Sequence, residues 1–404
     1  MWYHIYEAQM QASAPFRAAA LAALQMRSSL NGAADSPAAR QVMAALEMAT
    51  RAKLTHVSQP FGINSVMVEN KEALVVEETA LDLPFGRLLH FRKDIDAPQP
   101  KVLLVAPLSG HFATLLRNTV KTMLQDHDVY ITDWKNAREV PLAQGRWGFE
   151  DYVDYLIKFL EHLGPGAHIV AVCQPCVQAM VATAVMSEQK HPCTPRSLTL
   201  MAGPIDCRIN PTSVNTLATD HPIEWFRNNL ISTVPFPLPG WGRRVYPGFM
   251  QLAAFMAMNP ERHVDQHKAL FRHLVEGEDD EAEKIKTFYD EYFAVLDLTE
   301  EFYLETVAWV FQEMRLPLGR LKHRGQVVDC SKITRTALLT VEGERDDICS
   351  VGQTSAAHEL VTKLRPHLRS QHLQPGVGHY GVFSGRKWEN QIYPTVRSVI
   401  LSME

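Results

Sequence analysis

The sequence predicts an α/β fold built on a mostly parallel, doubly wound sheet. Short apolar runs rich in Val, Ile and Leu recur along the chain, as in strands buried on both faces of a parallel sheet. Helix-compatible segments separate these runs, and this alternation is typical of a sheet covered by helices on both faces. The clearest runs span residues 101–106, 128–132, 168–172, 197–202 and 336–341.

The composition is that of a large globular protein. The chain has 404 residues, 46% of them hydrophobic, which is enough to bury a sizeable core. A formal net charge of −5 and the lack of a long Lys/Arg run argue against nucleic acid or an anionic membrane as a partner. The six cysteines are spread widely and do not resemble a secreted disulfide framework, so a reducing cytoplasm is the simpler setting.

Three regions are predicted along the chain. Residues 1–60 form an N-terminal helical extension, and residues 61–204 and 334–404 form the α/β core. Residues 205–333 lose the alternation of strand and helix and are rich in proline and aromatic side chains, so they predict an inserted helical cap. The acidic run 276–281 is expected to begin a solvated helix, because carboxylates favour the first helical turn.

The extension is predicted to contain two helices, over residues 16–30 and 37–50, joined by Asn31-Gly32. Its Ala-rich segment resembles the apolar core of a signal peptide. The preceding residues carry no Lys or Arg, so an amphipathic helix is the better interpretation.

The core is expected to begin with short antiparallel edge strands near residues 65–68, 73–76 and 88–91. A last strand near 371–373 and a final helix opened by Pro394 are expected to complete it.

Residues 167–176 predict a strand, a sharp turn and a helix, with a nucleophile at the turn. The apolar run ends abruptly at Cys173, and a small, apolar, helix-compatible segment follows Pro175. In α/β-hydrolases the nucleophile lies on a strained turn of this kind. The usual Gly-x-Ser-x-Gly is replaced here by Ala-Val-Cys-Gln-Pro, so this pattern alone has little specificity.

Two later loops supply the partners that a cysteine nucleophile needs. Asp346 follows a buried strand and a glycine turn, and His379 lies in a loop between Gly378 and Tyr380. Nucleophile, acid and histidine occur in this order in α/β-hydrolases, each in a loop after a strand. Cys173, Asp346 and His379 are therefore the predicted triad.

Other residues remain as alternatives to two members of the triad. Asp347 is a rival to Asp346 as the acid, and His111 and His372 are weaker candidates for the base.

The oxyanion is expected to be held by the backbone N–H of Gln174 and by one from Leu108 or Ser109, which follow the strand at 101–106. Ser109 is an alternative nucleophile, but the sequence of its loop does not have the pattern of a nucleophile elbow. Cys176, one helical turn after Cys173, is predicted to pack in the core rather than to take part in the reaction.

Five motifs together resemble those of a known family. They are Pro-Leu-Ser-Gly-His at 107–111, Ala-Val-Cys-Gln-Pro at 171–175, Gly-Pro-Ile-Asp at 203–206, Val-Glu-Gly-Glu-Arg-Asp-Asp-Ile at 341–348 and Gly-Val-Gly-His-Tyr-Gly-Val-Phe at 376–383. The set resembles the intracellular polyhydroxybutyrate (PHB) depolymerases, cysteine-type α/β-hydrolases related to the polyhydroxyalkanoate synthases, and the likeness extends nearly end to end.

This resemblance implies an α/β-hydrolase fold with an inserted cap and no cofactor or metal. It implies hydrolysis of stored, amorphous poly(3-hydroxybutyrate) and its oligomers at the granule surface in the cytoplasm. Its triad would be Cys173, Asp346 and His379. The expected partner is the polyester itself, with no nucleic acid and no membrane span.

Other functions remain open at this stage. Synthases of the same fold also use a Cys-Asp-His set, but their nucleophile box resembles Gly-x-Cys-x-Gly. Cys173-Gln174-Pro175-Cys176 also matches the arrangement of a thiol oxidoreductase. A zinc site is weaker, because no second Cys/His pair has ligand spacing, and a non-catalytic granule coat is conceivable. Thiolysis by coenzyme A would use the same thioester as hydrolysis.

Contact with a hydrophobic polymer needs exposed apolar surface. The aromatic residues Trp225, Phe226, Phe236 and Trp241 of the predicted cap are candidates for it, although such a stretch is more often core.

Overall fold

The computed structural model describes residues 2–27, 36–95, 98–258 and 260–404. These residues build one nine-stranded sheet at the centre of the molecule. Its strands, in chain order, are β1 (Ser65–Val68), β2 (Lys71–Leu83), β3 (Gly86–Lys93), β4 (Lys101–Val105), β5 (Asp128–Trp134), β6 (His168–Val172), β7 (Ser197–Met201), β8 (Ala337–Gly343) and β9 (Arg369–Gln374).

The α-helices flank this sheet or lie in the segments that leave it. In chain order they are α1 (Trp2–Arg27), α2 (Pro37–Arg51), α3 (Arg117–Met123), α4 (Phe149–Leu163), α5 (Cys176–Glu188), α6 (Ser213–Thr219), α7 (Ile223–Leu230), α8 (Gly248–Met258), α9 (Pro260–Glu276), α10 (Asp279–Tyr292), α11 (Glu300–Thr306), α12 (Ala357–Leu360) and α13 (Tyr393–Leu401). No helix among the described residues has the length and apolar character needed to cross a membrane.

The strand order across the sheet is β1-β2-β3-β5-β4-β6-β7-β8-β9. The pairs from β1 to β5 are antiparallel, and every pair from β5 to β9 is parallel. From β2 onward, β3 is the one strand that runs antiparallel to its neighbours, and the other strands are parallel to one another. In the sheet, β5 lies between β3 and β4, so the order of β4 and β5 is reversed relative to the chain. This is the α/β-hydrolase fold, and the prediction of fold class is confirmed.

The core strands are buried on both faces, as their continuous apolar runs predict. In β4, Leu103 and Val105 face the apolar layer beneath α4 and α5, while Val102 and Leu104 face the opposite layer with α3 and α13. All four side chains are fully buried. Because neither face of these strands meets water, their sequences do not alternate between apolar and polar residues.

Helix α1 begins at Trp2, well before the predicted start at residue 16. Pro15 lies inside it, although proline removes a helical hydrogen bond. Tertiary contacts of the first turns stabilise the longer helix, because the Tyr3 hydroxyl donates to the buried carboxylate of Asp297 at 2.6 Å.

The other helix of the extension lies close to its predicted position. Helix α2 begins after Ser36, whose side chain accepts from the backbone N–H of Ala39. The predicted Asn31-Gly32 connection and residues 28–30 of the first predicted helix lie outside the described residues.

The segment between β7 and β8 contains helices α6 to α11, and α10 begins within the predicted acidic run. It also contains small strands that were not predicted, because two or three residues are too short to show a period. These are the three-stranded sheet of Ser232–Thr233, Arg244–Tyr246 and Leu298–Thr299, and the hairpin of Lys322–His323 and Gln326–Val327. The division of the chain into extension, core and cap stays a prediction.

A buried carboxylate at the end of β8 organises the loop that follows. One oxygen of Glu342 accepts three backbone N–H groups, from Gly352, Thr354 and Ser355, each at 2.9 Å. The Thr354 hydroxyl in turn bonds both the N–H and the carbonyl of Gly203 at the end of β7, at 2.8 and 3.0 Å. The loops after β7 and β8 are therefore fastened to each other.

Replacing Glu342 should loosen these two loops. Glu342→Leu leaves three inward-facing N–H groups without an acceptor and should cost about 3 kcal/mol or more of unfolding free energy. Glu342→Gln keeps one carbonyl oxygen in place and should cost less. Urea unfolding of both variants measures the difference, and equally small losses would contradict the anchoring role of the carboxylate.

Candidate active site

Cys173 lies at the turn that joins β6 to α5. Its φ of +66° is in the left-handed region, which costs a residue with a side chain about 1–3 kcal/mol. Two backbone hydrogen bonds hold the turn. The N–H of Cys173 donates to the carbonyl of Met201 at 2.8 Å, and the N–H of Cys176 donates to the carbonyl of Cys173 at 3.1 Å. This geometry is that of the nucleophile elbow expected from the sequence.

The elbow needs a glycine on the neighbouring strand end. A Cβ at Gly203 would overlap the Cys176 side chain and lie 2.9 Å from the Cys173 carbonyl oxygen. This close approach gives a physical reason for glycine in the Gly-Pro-Ile-Asp motif. The turn around Cys173 can form because residue 203 has no side chain.

His379 and Asp346 form a direct hydrogen bond. The Nδ1–H of His379 donates to Oδ2 of Asp346 at 2.8 Å, and both side chains are buried. The other carboxylate oxygen accepts from the backbone N–H groups of Ile348 and Cys349 at 2.9 and 2.8 Å. Asp346 is thus fixed from both sides, and it orients the ring of His379.

The Cys173 side chain completes this set. Burial lowers the pKa of His379, but the charges of Cys173 and Asp346 and hydrogen bonds to both raise the pKa well above its ordinary value. Its two acidic neighbours therefore favour the protonated form of the imidazole. The structure joins His379 to Asp346 by a hydrogen bond, and Cys173 is near enough for its charge to act on the same ring.

The rival residues are placed elsewhere. Asp347 lines the pocket above His379, while the ring bonds Asp346. His372 lies in β9 and hydrogen-bonds the side chain of Gln374 at 3.0 Å. His111 is buried, and its ring bonds the carbonyl of Tyr292 at 3.1 Å. It therefore ties the loop after β4 to α10.

The loop that carries Leu108 and Ser109 is fixed at both ends. The carbonyl of Ala106 accepts from Trp134 Nε1 at 3.0 Å and from the Tyr152 hydroxyl at 3.1 Å. On the other side, the N–H of Leu296 donates to the Gly110 carbonyl at 3.0 Å. The assignment of the backbone N–H groups of Gln174, Leu108 and Ser109 to an oxyanion hole stays a prediction.

The side chain of Gln174 adds a feature that the sequence did not suggest. It is more than nine-tenths buried, yet within the described part of the chain neither amide atom has a hydrogen-bond partner. Gln178, one helical turn later, is also buried, and its side-chain amide likewise has no hydrogen-bond partner among the described residues. Unpaired buried amides are rare because each costs free energy, and here they follow the elbow directly.

Cys176 is a structural residue. Its thiol is fully buried and donates to the Ala171 carbonyl at 3.3 Å, and burial raises its pKa well above the ordinary range. All six cysteines are free thiols, including the Cys173–Cys176 pair.

A pocket of about 650 Å³ lies over His379. Helices α8, α9 and α10 form one side of it, through residues such as Phe255 and Tyr292, and the loops around Arg345 and Tyr380 form the other. Helices of the segment predicted as a cap therefore cover His379, the predicted base. Sequence reasoning missed the helical residues of this pocket, because they belong to no motif and meet the loops only in the folded chain.

The predicted polymer contacts are only partly exposed. Phe226 was predicted wrongly, because it is 3% exposed and packs against Leu304 and Val307 on the inner face of α7. Trp225 is half-buried and stacks on His221. Trp241 and Phe236 are 61% and 76% exposed, respectively, and lie edge to face with ring centroids 6.0 Å apart.

One group of side chains among the described residues could hold a metal ion by ligand type and spacing. It consists of His273, Glu276 and Glu278 at the surface, and none of them lines the pocket over His379. Exposed carboxylates of this kind are common without a metal ion, and the candidate triad itself needs none.

Comparisons with known proteins agree with this architecture. The family model described as "PHB de-polymerase C-terminus" matches residues 202–404, half of the chain. No curated protein matches the sequence.

Solved structures similar to this chain include a putative lipase from Acinetobacter baumannii, at 13% identity and a TM-score of 0.47, covering 81% of this chain and 93% of the lipase. Another is 2-hydroxy-6-oxo-6-phenylhexa-2,4-dienoate hydrolase from Rhodococcus, at 12% identity and a TM-score of 0.41, covering 82% of this chain and 99% of the hydrolase.

The strand order and the family match define the class of protein, which is a hydrolase with the α/β-hydrolase fold. The family match covers both the Asp346 and the His379 loops. The chain belongs to the PHB depolymerase family.

Asp346→Asn should change the pH dependence of the reaction. Since the Asp346 charge raises the pKa of His379, its loss should lower that pKa and move the alkaline limb of the kcat/KM profile to lower pH. In related triads the same change reduces kcat by about 10⁴-fold, because the imidazole adopts the wrong tautomer. Rate profiles and histidine NMR titration measure both effects.

Asp347→Asn is the matched control, because it removes the adjacent carboxylate and keeps the bond between His379 and Asp346. Its alkaline limb should shift less. Equal shifts in the two variants would contradict the assignment of Asp346 as the orienting acid.

Proposed function

We propose that this protein hydrolyses the ester bonds of amorphous poly(3-hydroxybutyrate) and its oligomers through a thioester on Cys173. The observation that carries the proposal is the hydrogen bond between His379 and Asp346 beside the strained turn of Cys173, whose charge acts on the same imidazole. A thiolate beside an imidazolium attacks carbonyl carbon without further activation. Membership of the PHB depolymerase family supports a polyester as the substrate.

The first half of the reaction transfers the acyl group to the enzyme. The Cys173 thiolate attacks an ester carbonyl of the chain, and the negative charge that develops on oxygen lies against the backbone N–H groups of Gln174 and of Leu108 or Ser109. His379, which holds the proton taken from Cys173, then donates it to the departing alkoxide. The leaving group is the 3-hydroxyl end of the following polymer segment.

The second half regenerates the thiol. His379, now neutral and still oriented by Asp346, removes a proton from water, which attacks the thioester. The acid is released, and the Cys173 thiolate and the imidazolium return together. Coenzyme A as the acceptor would use the same intermediate and would yield a thioester product instead of an acid.

The redox alternative is disfavoured by the second cysteine. A Cys-x-x-Cys oxidoreductase needs its second thiol within reach of the mixed disulfide. Cys176 is fully buried, its thiol is engaged with Ala171, and its pKa is raised by burial. These features favour a packing role.

The exposed aromatic pair of Phe236 and Trp241 is the part of the predicted polymer contact that burial leaves available. Large apolar side chains in contact with water are suited to binding a hydrophobic polyester. We propose that the protein acts at the granule surface in the cytoplasm. The exposed pair supports contact with the polymer, and the family supports the granule as the setting.

Release of 3-hydroxybutyrate from amorphous polymer tests the assignment of the nucleophile. Cys173→Ala should reduce the rate by about 10³-fold or more, because the covalent intermediate is lost. Cys176→Ala should retain most of the activity and lose about 1–2 kcal/mol of unfolding free energy, because a buried thiol is removed.

Circular dichroism and urea unfolding of both variants establish that they are folded. Activity retained in Cys173→Ala, or abolished in a folded Cys176→Ala, would contradict the proposal. Dithiol-dependent disulfide exchange that needs both cysteines would favour the redox alternative.

A further inference from the structure

The pocket over His379 carries more positive than negative charge. Three cationic side chains line it, Arg262 from α9, Lys284 from α10 and Arg345 from the loop after β8. Asp347 is the acidic residue that lines it. A concave site with one predominant sign of charge concentrates its field and attracts ligands of the opposite sign.

Two of these cationic side chains form no ion pair with a carboxylate among the described residues. Lys284 pairs with Glu281 at 2.5 Å, one helical turn earlier. By contrast, neither Arg262 nor Arg345 lies within ion-pair distance of a carboxylate of the described residues, whereas arginines such as Arg51 and Arg138 do. Both guanidinium groups therefore remain available for a ligand in the pocket.

The charge of Arg262 acts on the side of the pocket that contains His379 and Tyr380. Burial raises the pKa of Tyr380, the residue next to His379, and Arg262 opposes that rise. The same charge acts on Tyr289 and Tyr292 in the opposite wall. Arg262 thus lies close to both walls of the cavity that His379 lines.

A polyester is neutral along its length, and its one charged group is the terminal carboxylate. His379 protonates the departing alkoxide, so the leaving group must lie on the His379 side of Cys173. When the last ester of a chain is cut, that leaving group is 3-hydroxybutyrate itself. Its carboxylate is three bonds from the oxygen that His379 protonates, which is within reach of the pocket walls.

We propose that Arg262 and Arg345 bind the terminal carboxylate of the chain and so direct cleavage to the last ester of 3-hydroxybutyrate oligomers. Guanidinium groups suit this role, since they bind a carboxylate through two parallel hydrogen bonds. The assignment rests on the proposed function and names the end of the substrate that the pocket recognises. The hydroxyl-bearing remainder of the chain stays on Cys173 as the acyl group.

The test compares the linear trimer of 3-hydroxybutyrate as a free acid with its methyl ester. The wild-type kcat/KM should favour the free acid by on the order of tenfold, because charge-assisted hydrogen bonds are lost in the ester. Arg262→Gln and Arg345→Gln should each reduce this preference toward one. Arg272→Gln, which changes an exposed arginine of α9 that does not line the pocket, should keep the wild-type preference.

In a single turnover that is stopped before the thioester is hydrolysed, the first free product of the acid identifies the ester that is cut. Monomer should be released first, whereas cleavage of the other ester would release dimer first. Equal rates for acid and methyl ester, or a preference that survives in both arginine variants, would overturn the inference and leave the hydrolase proposal standing. The same rates are also measured with coenzyme A added. If coenzyme A accelerates the wild type but not the arginine variants, and the variants keep the preference for the free acid, the inference is overturned and the arginines bind the acyl acceptor instead. Failure of the wild type to cleave either trimer would overturn the proposed function and this inference together.

Discussion

The close approach of the chain at Gly203 is the constraint on which the candidate site depends. Cys173 adopts a left-handed turn, which is costly for a residue with a side chain, and the turn packs directly against residue 203. Thr354 bonds both polar groups of Gly203, and Glu342 holds Thr354 in turn. The strain at Cys173 is thus offset by hydrogen bonds from the same loop region that carries Asp346.

This arrangement explains why three residues far apart in the sequence meet. The strands β6, β7 and β8 are neighbours in the sheet, so their carboxyl ends lie side by side. Cys173 follows β6, Asp346 follows β8, and His379 comes after β9 at the edge of the sheet. Buried backbone and carboxylate contacts fix the side chains of Asp346 and His379, so these two groups have little freedom to lose when a substrate binds.

The sequence predicted the core strands, and it singled out the candidate triad, because both leave local signals. A strand buried on two faces is a continuous apolar run, and Cys173 and Asp346 each follow such a run in a loop. His379 lies in a loop after the polar strand β9, and its glycine-flanked motif singled it out. The start of α1 was not predicted, because Tyr3 stabilises it through Asp297, almost three hundred residues away. Phe226 was misjudged for a related reason, since its burial depends on α11. The basic residues that α9 and α10 contribute to the pocket, Arg262 and Lys284, belong to no motif, because helix packing alone brings them to His379.

The central claim is that Cys173 carries the acyl group. Rapid acid quenching of the enzyme during turnover of the 3-hydroxybutyrate trimer, followed by peptide mass spectrometry, tests it most directly. The account predicts a hydroxylamine-labile adduct on the peptide that contains Cys173, with the mass of one or two 3-hydroxybutyryl units, and no adduct in Cys173→Ala. An adduct on another residue, or turnover by Cys173→Ala without any adduct, would contradict it.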